Sequence, residues 1–254
     1  LIHETCSESG INLIAQESRA HQTIVKTRFI DDHTSSKVFE TYEMTDGLPP
    51  DSEDEEFKAL VQAHIRSADL ILIADYGHGL LTPRVVSALS EASSLVAVNT
   101  QSNAGNRGFN SIGRYGRVDI VSLNGSEIAL ELRQRHVNIP QLLPVLAEQT
   151  KAEWVIVTQG AEGMSIWNRV DGTGHAPAFT GVVKDRVGAG DALFVASSLL
   201  LCSESGWKIA GLIGNLAGAM AVSDLGNRVS INAGLVSTRS QSIAGGAKST
   251  SSPW

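Results

Sequence analysis

The chain has 254 residues, 42% of them hydrophobic and 19% charged, with a formal net charge of −7. That length suffices for one sizeable core. The acidic balance, and the lack of a basic stripe with interleaved aromatics, argue against a nucleic-acid partner. No apolar run approaches a bilayer span, since the longest, from Ala192 to Cys202, is interrupted by Ser197 and Ser198. Cys6 and Cys202 make neither a disulfide framework nor a zinc spacing, and Leu1-Ile2-His3-Glu4 lacks a leader pattern. A cytoplasmic protein with reduced thiols is the expectation.

In chain order, residues 24–30 and 37–42 are extended, β-rich runs on either side of a polar stretch, which predicts a hairpin. An acidic patch at 51–56 suits the positive end of a helix, and Phe57, Leu60, Val61, His64 and Ile65 then repeat at helical spacing. Residues 70–74, 95–98, 120–123, 154–158 and 164–167 read as apolar strands. Helices are predicted over 83–92, 127–132, 142–149, 191–201 and 207–223. This alternation predicts an α/β fold, a mostly parallel sheet with helices on both faces. In such sheets ligands bind beyond the carboxyl ends of the strands. From Ser237 the chain is Ser/Thr/Gly-rich and aperiodic, and 237–254 is expected to be a flexible tail.

The strongest chemical feature is Gly188-Ala189-Gly190-Asp191, a glycine turn leading into an apolar helix. Glycines let the backbone approach a ligand, and a helix start offers unpaired N–H groups to a phosphate. An Asp at that point can take a proton from a hydroxyl held beside the phosphate. The same residues would also make an ordinary N-cap. Asn124-Gly125-Ser126-Glu127 follows a strand and reads as a capping box or as oxygen donors for a hard cation. The segment from Thr158 through Gly160 to Gly163 reads as a tight turn or a ligand loop. Asn215-Leu216-Ala217-Gly218 reads as close helix packing or a ligand wall. Asp75 ends a strand, where a turn role and a site role are both open. Asn99-Thr100-Gln101-Ser102-Asn103 ends another, and its amides could bind a ligand or shape a loop.

Taken together, in this order, the motifs resemble those of the ribokinase-like (PfkB-type) carbohydrate kinases. The resemblance is sharpest over residues 124–226 and extends back to about Lys26. It implies a three-layer ribokinase-like fold over residues 1–236, with residues 24–42 as a small β lid. It implies Asp191 as catalytic base, with Gly188, Ala189 and Gly190 as the anion hole. Thr158, Gly160, Gly163, Asn215 and Asn124 would flank ATP. Glu127 would hold Mg2+, and Asp185 would lie near a monovalent cation.

Ala74-Asp75-Tyr76-Gly77-His78-Gly79 and Lys26-Thr27-Arg28 resemble the heptose-phosphate kinases of that family. This implies substrate contacts from Asp75, Lys26 and Arg28. The expected activity is ATP-dependent phosphorylation of a hydroxyl on a sugar or sugar phosphate, a heptose phosphate by the upstream resemblance. The alternative is a non-catalytic kinase-like domain acting as a binding or assembly module. Neither a nucleic-acid nor a membrane partner is expected. A homodimer through the lid, or fusion to a further domain, is.

Two departures accompany the resemblance. Arg186 stands where the family has a small or hydroxyl residue. No Gly-Gly sugar-binding motif precedes Lys26, so the front of the fold is expected to be missing. A Walker A sequence is absent, and Leu193 occupies the third glycine position of a dinucleotide fingerprint.

Overall fold

The computed structural model describes residues 2–31, 33, 37–45, 47–103, 105–179, 183–185, 187–223 and 231–249. A short helix α1 (Ile2–Glu8) opens the chain and buries none of its residues. Strands β1 (Val25–Ile30) and β2 (Lys37–Glu43) pair antiparallel as a separate two-stranded sheet, the expected lid. Most of the turn between them lies outside the described residues. Helix α2 (Asp51–Ile65) follows, with Asp51, Glu53 and Asp54 in its first turn. There Asp54 is buried and accepts the Thr82 hydroxyl at 2.6 Å.

The α/β alternation then begins with β3 (Leu70–Asp75), α3 (Pro83–Leu89), β4 (Leu95–Thr100) and β5 (Ile120–Asn124). It continues with α4 (Gly125–Glu131), α5 (Ile139–Thr150), β6 (Trp154–Thr158), β7 (Met164–Asn168) and β8 (Gly172–Ala176). Helices α6 (Ala189–Cys202), α7 (Trp207–Ala221) and α8 (Ala233–Ser249) complete it. The main sheet runs β3-β4-β5-β6-β7-β8. The pairs from β3 to β6 are parallel, and those from β6 to β8 antiparallel.

Alternation along each strand divides the core in two. Val96, Val98, Val121, Leu123, Val155 and Val157 face one cluster, closed by Ile65 of α2, Val85 and Leu89 of α3, Ile128 of α4, and Leu143 and Leu146 of α5. Ala97, Ile120, Ile156 and Ile166 face the other, closed by Leu193, Phe194 and Leu201 of α6 and Ala210 of α7. The result is three layers, helix–sheet–helix.

Helices α6 and α7 meet almost backbone to backbone. A Cβ on Gly214 would lie 2.1 Å from Ser197 Oγ, and one on Gly218 would lie 3.2 Å from the Ala189 carbonyl oxygen. Ser197 Oγ donates to the Ala210 carbonyl at 3.0 Å, fastening the seam.

Two expectations change. Residues 172–176 form a strand, although Gly172-Thr173-Gly174-His175-Ala176 carries no β signal of its own; full pairing with β7 imposes it. The segment expected to be a loose tail contains most of α8, because Ala and Ser tolerate a helix without an apolar stripe. Residues 250–254 lie outside the described residues.

Candidate active site

Register brings the chemistry-bearing residues to one edge of the sheet. Asp75 pairs with Thr100 and Asn124 with Thr158, so β3, β4, β5 and β6 all end their ladders at the same side. Helix α6 starts over this edge. Its N-cap is Gly188, at φ 83°, a left-handed conformation that glycine adopts without strain. A glycine cap has no side-chain acceptor, and among the described residues no side chain caps this helix, which suits its first-turn N–H groups to a ligand. A Cβ on Gly190 would meet nothing within 4 Å, which leaves open space against that turn. First-turn N–H groups, a helix dipole and open space together fit a phosphate.

Asp191 lies in the same first turn. Its Oδ1 accepts the Gln101 Nε2 amide at 2.8 Å, and its Oδ2 accepts the Tyr76 hydroxyl at 3.2 Å. Burial, and then the charge and hydrogen bond of Asp191, push the Tyr76 phenol up to about 12. The positive charge of Arg28 works against this, which puts the lid within electrostatic reach of the site.

Asn124 and Glu127 form a capping box. Asn124 Oδ1 accepts the backbone N–H groups of Ser126 and Glu127, both at 2.9 Å, and Glu127 Oε2 accepts that of Asn124 at 2.8 Å. Glu127 Oε1 also accepts the Ser102 N–H at 3.0 Å, so α4 is joined to the end of β4. Burial raises the Glu127 carboxyl above the usual range, and the Asp191 charge adds to this against the lowering effect of its hydrogen bonds. A buried carboxylate, Glu127, that senses the Asp191 charge would suit a magnesium ion. Such an ion keeps several waters and takes its other ligands from the nucleotide. Among the described residues no group of three or more His, Cys, Asp or Glu could hold a metal ion.

Several other sequence-selected residues have defined structural partners. Asp75 is 4% exposed; its Oδ1 accepts the Gly77 N–H at 2.9 Å and its Oδ2 the Tyr115 hydroxyl at 2.8 Å. Arg114 completes that group at 3.6 Å. Asn215 is buried and donates to the Ala176 carbonyl at 2.9 Å, stitching α7 to the end of β8. Thr158 ends β6, and Gly160 and Gly163 follow at φ 60° and 95°. Gly163 is required, since a Cβ there would lie 2.2 Å from the Ala176 carbonyl oxygen. Asp185 Oδ1 accepts the Val187 N–H at 3.0 Å, and its backbone N–H donates to Val222 of the α7 end at 3.2 Å. Arg186 and Gly226 lie outside the described residues.

On the lid, Lys26, Arg28 and Lys37 all approach Glu40, at 3.4, 3.5 and 3.2 Å. Among the ion pairs of the described residues, these three cations converge on the Glu40 carboxylate. Lys26 Nζ lies 4.7 Å from the Tyr42 ring centroid, and Tyr42 and His78 lie 5.9 Å apart, so the lid meets the turn after β3. A cavity of about 400 Å3 opens there, lined among others by Ile24, Leu72, Asp75, Tyr76 and His78.

The Tyr76–Asp191–Gln101 contact was not readable from the sequence, although Tyr76 and Gln101 carry one usable signal. Each directly follows a parallel strand, at the ligand-binding end. The asparagines after β4 prove to fasten this arrangement. Asn103 and Asn106 donate to the Tyr76 carbonyl at 2.9 and 2.8 Å, and Asn110 donates to that of Asp75 at 2.9 Å.

Comparison with known proteins gives this geometry a context. The profile of the "pfkB family carbohydrate kinase" family matches residues 2–233. The chain is 28% identical over 225 residues to the bifunctional protein HldE of Bradyrhizobium diazoefficiens, covering 85% of this chain and 44% of that one. It is also 28% identical over 233 residues to that of Bradyrhizobium sp. strain ORS 278, covering 88% and 46%. The chain thus spans about half the length of the curated relatives it matches. Among solved structures, Escherichia coli phosphofructokinase-2 in complex with potassium superposes with a TM-score of 0.78 at 14% identity, covering 96% of this chain and 78% of that one. Ribokinase from Thermotoga maritima superposes with a TM-score of 0.72 at 19% identity, covering 94% and 76%. The three-layer architecture is therefore the ribokinase-like fold.

Proposed function

Because the chain belongs to the pfkB family of carbohydrate kinases, we propose that it transfers the terminal phosphoryl group of ATP to a hydroxyl of a sugar or sugar phosphate, with Asp191 as the base. The observation that carries this reading is the placement of Asp191. Its carboxylate lies in the first turn of a glycine-capped helix and reaches the ends of β3 and β4. Phosphoryl transfer asks for positioning and charge stabilisation. The N–H groups at Gly188, Ala189 and Gly190 would take the charge that develops on the phosphoryl oxygens. Asp191 would accept the proton of the acceptor hydroxyl.

Thr158, Gly160, Gly163 and Asn215 would border the nucleotide, and Asn124 and Glu127 would hold the waters of the metal. Magnesium, when bound, supplies neutralisation of the phosphate charge. A monovalent cation would lie by the Asp185 loop, beside the anion hole. The positive charges of Lys26 and Arg28 favour an acceptor that already carries a phosphate. A heptose phosphate is our first choice, on the resemblance of residues 74–79 and the similarity to the bifunctional HldE proteins. Asp75 would act on the substrate through the turn it organises.

The lid's outward residues Val25, Phe29 and Phe39 are exposed, with Phe29 and Phe39 stacked at 4.2 Å. Pairing of two lids would cover them in a homodimer. The bifunctional relatives support fusion to a further domain.

The test is calorimetric titration of the folded chain with Mg-ATP, followed by a sugar-phosphate screen. Gly190→Val fills the open space and should abolish nucleotide binding. Asp191→Asn should bind nucleotide and lose about two or more orders of magnitude in turnover. No binding by the folded wild-type chain would overturn the kinase reading and favour a non-catalytic binding module.

A further inference from the structure

Both oxygens of Asp191 are engaged by side-chain donors, one from each of two strand ends. The acceptor hydroxyl must reach one of these oxygens to give up its proton; each oxygen keeps a second acceptor position, but the hydroxyl competes there with the donor already in place. The two donors are held very differently. Gln101 makes the shorter bond, 2.8 Å, and its backbone is pinned on both sides: its N–H donates to Asp75 at 2.8 Å, and its carbonyl accepts the Asn106 amide at 3.1 Å. Tyr76 makes the longer bond, 3.2 Å, and is 43% exposed beside the cavity at the lid. With its phenol pushed up to about 12, Tyr76 stays protonated, and stays a donor, through the neutral range.

We propose that Gln101 and Tyr76 are positioning residues with unequal tasks. Gln101 holds Oδ1 throughout the cycle, whereas Tyr76 holds Oδ2 only until the acceptor hydroxyl displaces it. This rests on the kinase reading above. In the step itself the acceptor O–H bond breaks and its proton passes to Oδ2. The acceptor oxygen bonds to the terminal phosphorus of ATP, and the bond from that phosphorus to ADP breaks, with ADP keeping the electron pair. Other charges act on this cradle. The Asp191 charge raises the cost of ionising Glu127 of α4, and Arg28 of β1 acts on Tyr76. Neither donates to the Asp191 oxygens.

The experiment uses the full chain with Mg-ATP and a heptose phosphate, and compares wild type, Gln101→Leu and Tyr76→Phe over pH. Losing a donor to a carboxylate makes it easier to protonate, and kcat/KM reports the free enzyme while kcat reports the complex. Gln101→Leu should move the acid limb of both profiles to higher pH by roughly half a unit or more. Tyr76→Phe should move the limb of kcat/KM alone, because in the complex the acceptor has already replaced the phenol. A Tyr76→Phe enzyme whose two limbs move together, or a Gln101→Leu enzyme with neither limb moved, overturns the assignment.

A second readout needs no substrate. The carboxyl-carbon resonance of Asp191 in the free protein should titrate at higher pH in both variants than in wild type. Unchanged midpoints would sink the proposal whatever the turnover. A wild-type chain that phosphorylates no acceptor while both midpoints move would instead fail the kinase reading and leave the resting cradle standing.

Discussion

The Tyr115 hydroxyl donates to Asp75 Oδ2 at 2.8 Å across 40 residues of sequence, joining the segment before β5 to the end of β3. Asp75 in turn shapes the turn that presents Tyr76. In Tyr115→Phe, this buried oxygen loses its donor, and a buried acceptor left unsatisfied costs about 1–3 kcal/mol. Urea denaturation should show that loss. Tyr76 would be less well placed, so turnover should fall more than nucleotide affinity. Unchanged stability would mean that Arg114 alone satisfies Asp75.

Gly163 and Gly160 differ both in backbone strain and in the space open to a side chain, since Gly163 lies at φ 95° and ψ −130° and Gly160 at φ 60°. Both have positive φ, but a Cβ on Gly163 meets backbone atoms at 2.2 and 2.5 Å, whereas one on Gly160 meets nothing within 4 Å. Gly160→Ala should cost about 1–2 kcal/mol, the left-handed backbone alone. Gly163→Ala should cost clearly more, because its φ 95°, ψ −130° backbone strains any side chain and the β6–β7 turn must also move away from β8. Thermal melts of the two variants side by side check the order.

The Glu127 carboxyl sits above the usual carboxylate range in the folded chain. The unfolded chain therefore loses this proton first as pH rises. The group's contribution to stability is fully present below the ordinary Glu value and is lost as pH climbs through the folded one. Glu127→Gln removes the titration. Its melting temperature should fall less steeply than that of wild type as pH rises through that window, apart from a constant offset for the lost acceptor. Parallel slopes would show that Glu127 does not ionise differently in the two states.

Lys26, Arg28 and Lys37 share one carboxylate, Glu40. If these cations meet a phosphate on the acceptor, the double variant Lys26→Ala/Arg28→Ala should raise KM for a sugar phosphate about tenfold or more. It should leave KM for the unphosphorylated sugar nearly unchanged. Added salt should narrow the difference. Equal effects on the two acceptors would place the phosphate elsewhere.

Much of the fold was legible because β4 to β6 are buried on both faces and read as continuous apolar runs such as Leu95-Val96-Ala97-Val98. The edge strand β3 reads the same way in Leu70-Ile71-Leu72-Ile73, although Leu72 and Ala74 are exposed. β8 was not legible, because Gly174 is there for a neighbour: a Cβ on it would lie 2.5 Å from the Trp207 ring. The glycine turn at the start of α6 was legible as a contiguous motif, Gly188 to Asp191. The donors to its carboxylate were not, since Tyr76 and Gln101 lie 115 and 90 residues away and meet Asp191 only through the order of the strands. Asn215 illustrates the opposite case. Its place in a family-like segment was readable, but its buried bond to Ala176 is a tertiary fact.

The seam between α6 and α7 sets the height of Asp191 from the helix behind it. Gly218 sits against the Ala189 carbonyl in the first turn of α6, and Gly214 against Ser197 one face further along. Bulk added on α7 would lever α6 outward and carry Asp191 away from Gln101 without changing the Asp191 side chain itself. A laboratory library meant to tune this enzyme would find graded, distance-dependent losses at 214 and 218. The same positions explain why two helices with so few large side chains between them can hold a carboxylate to within a hydrogen bond of two strands.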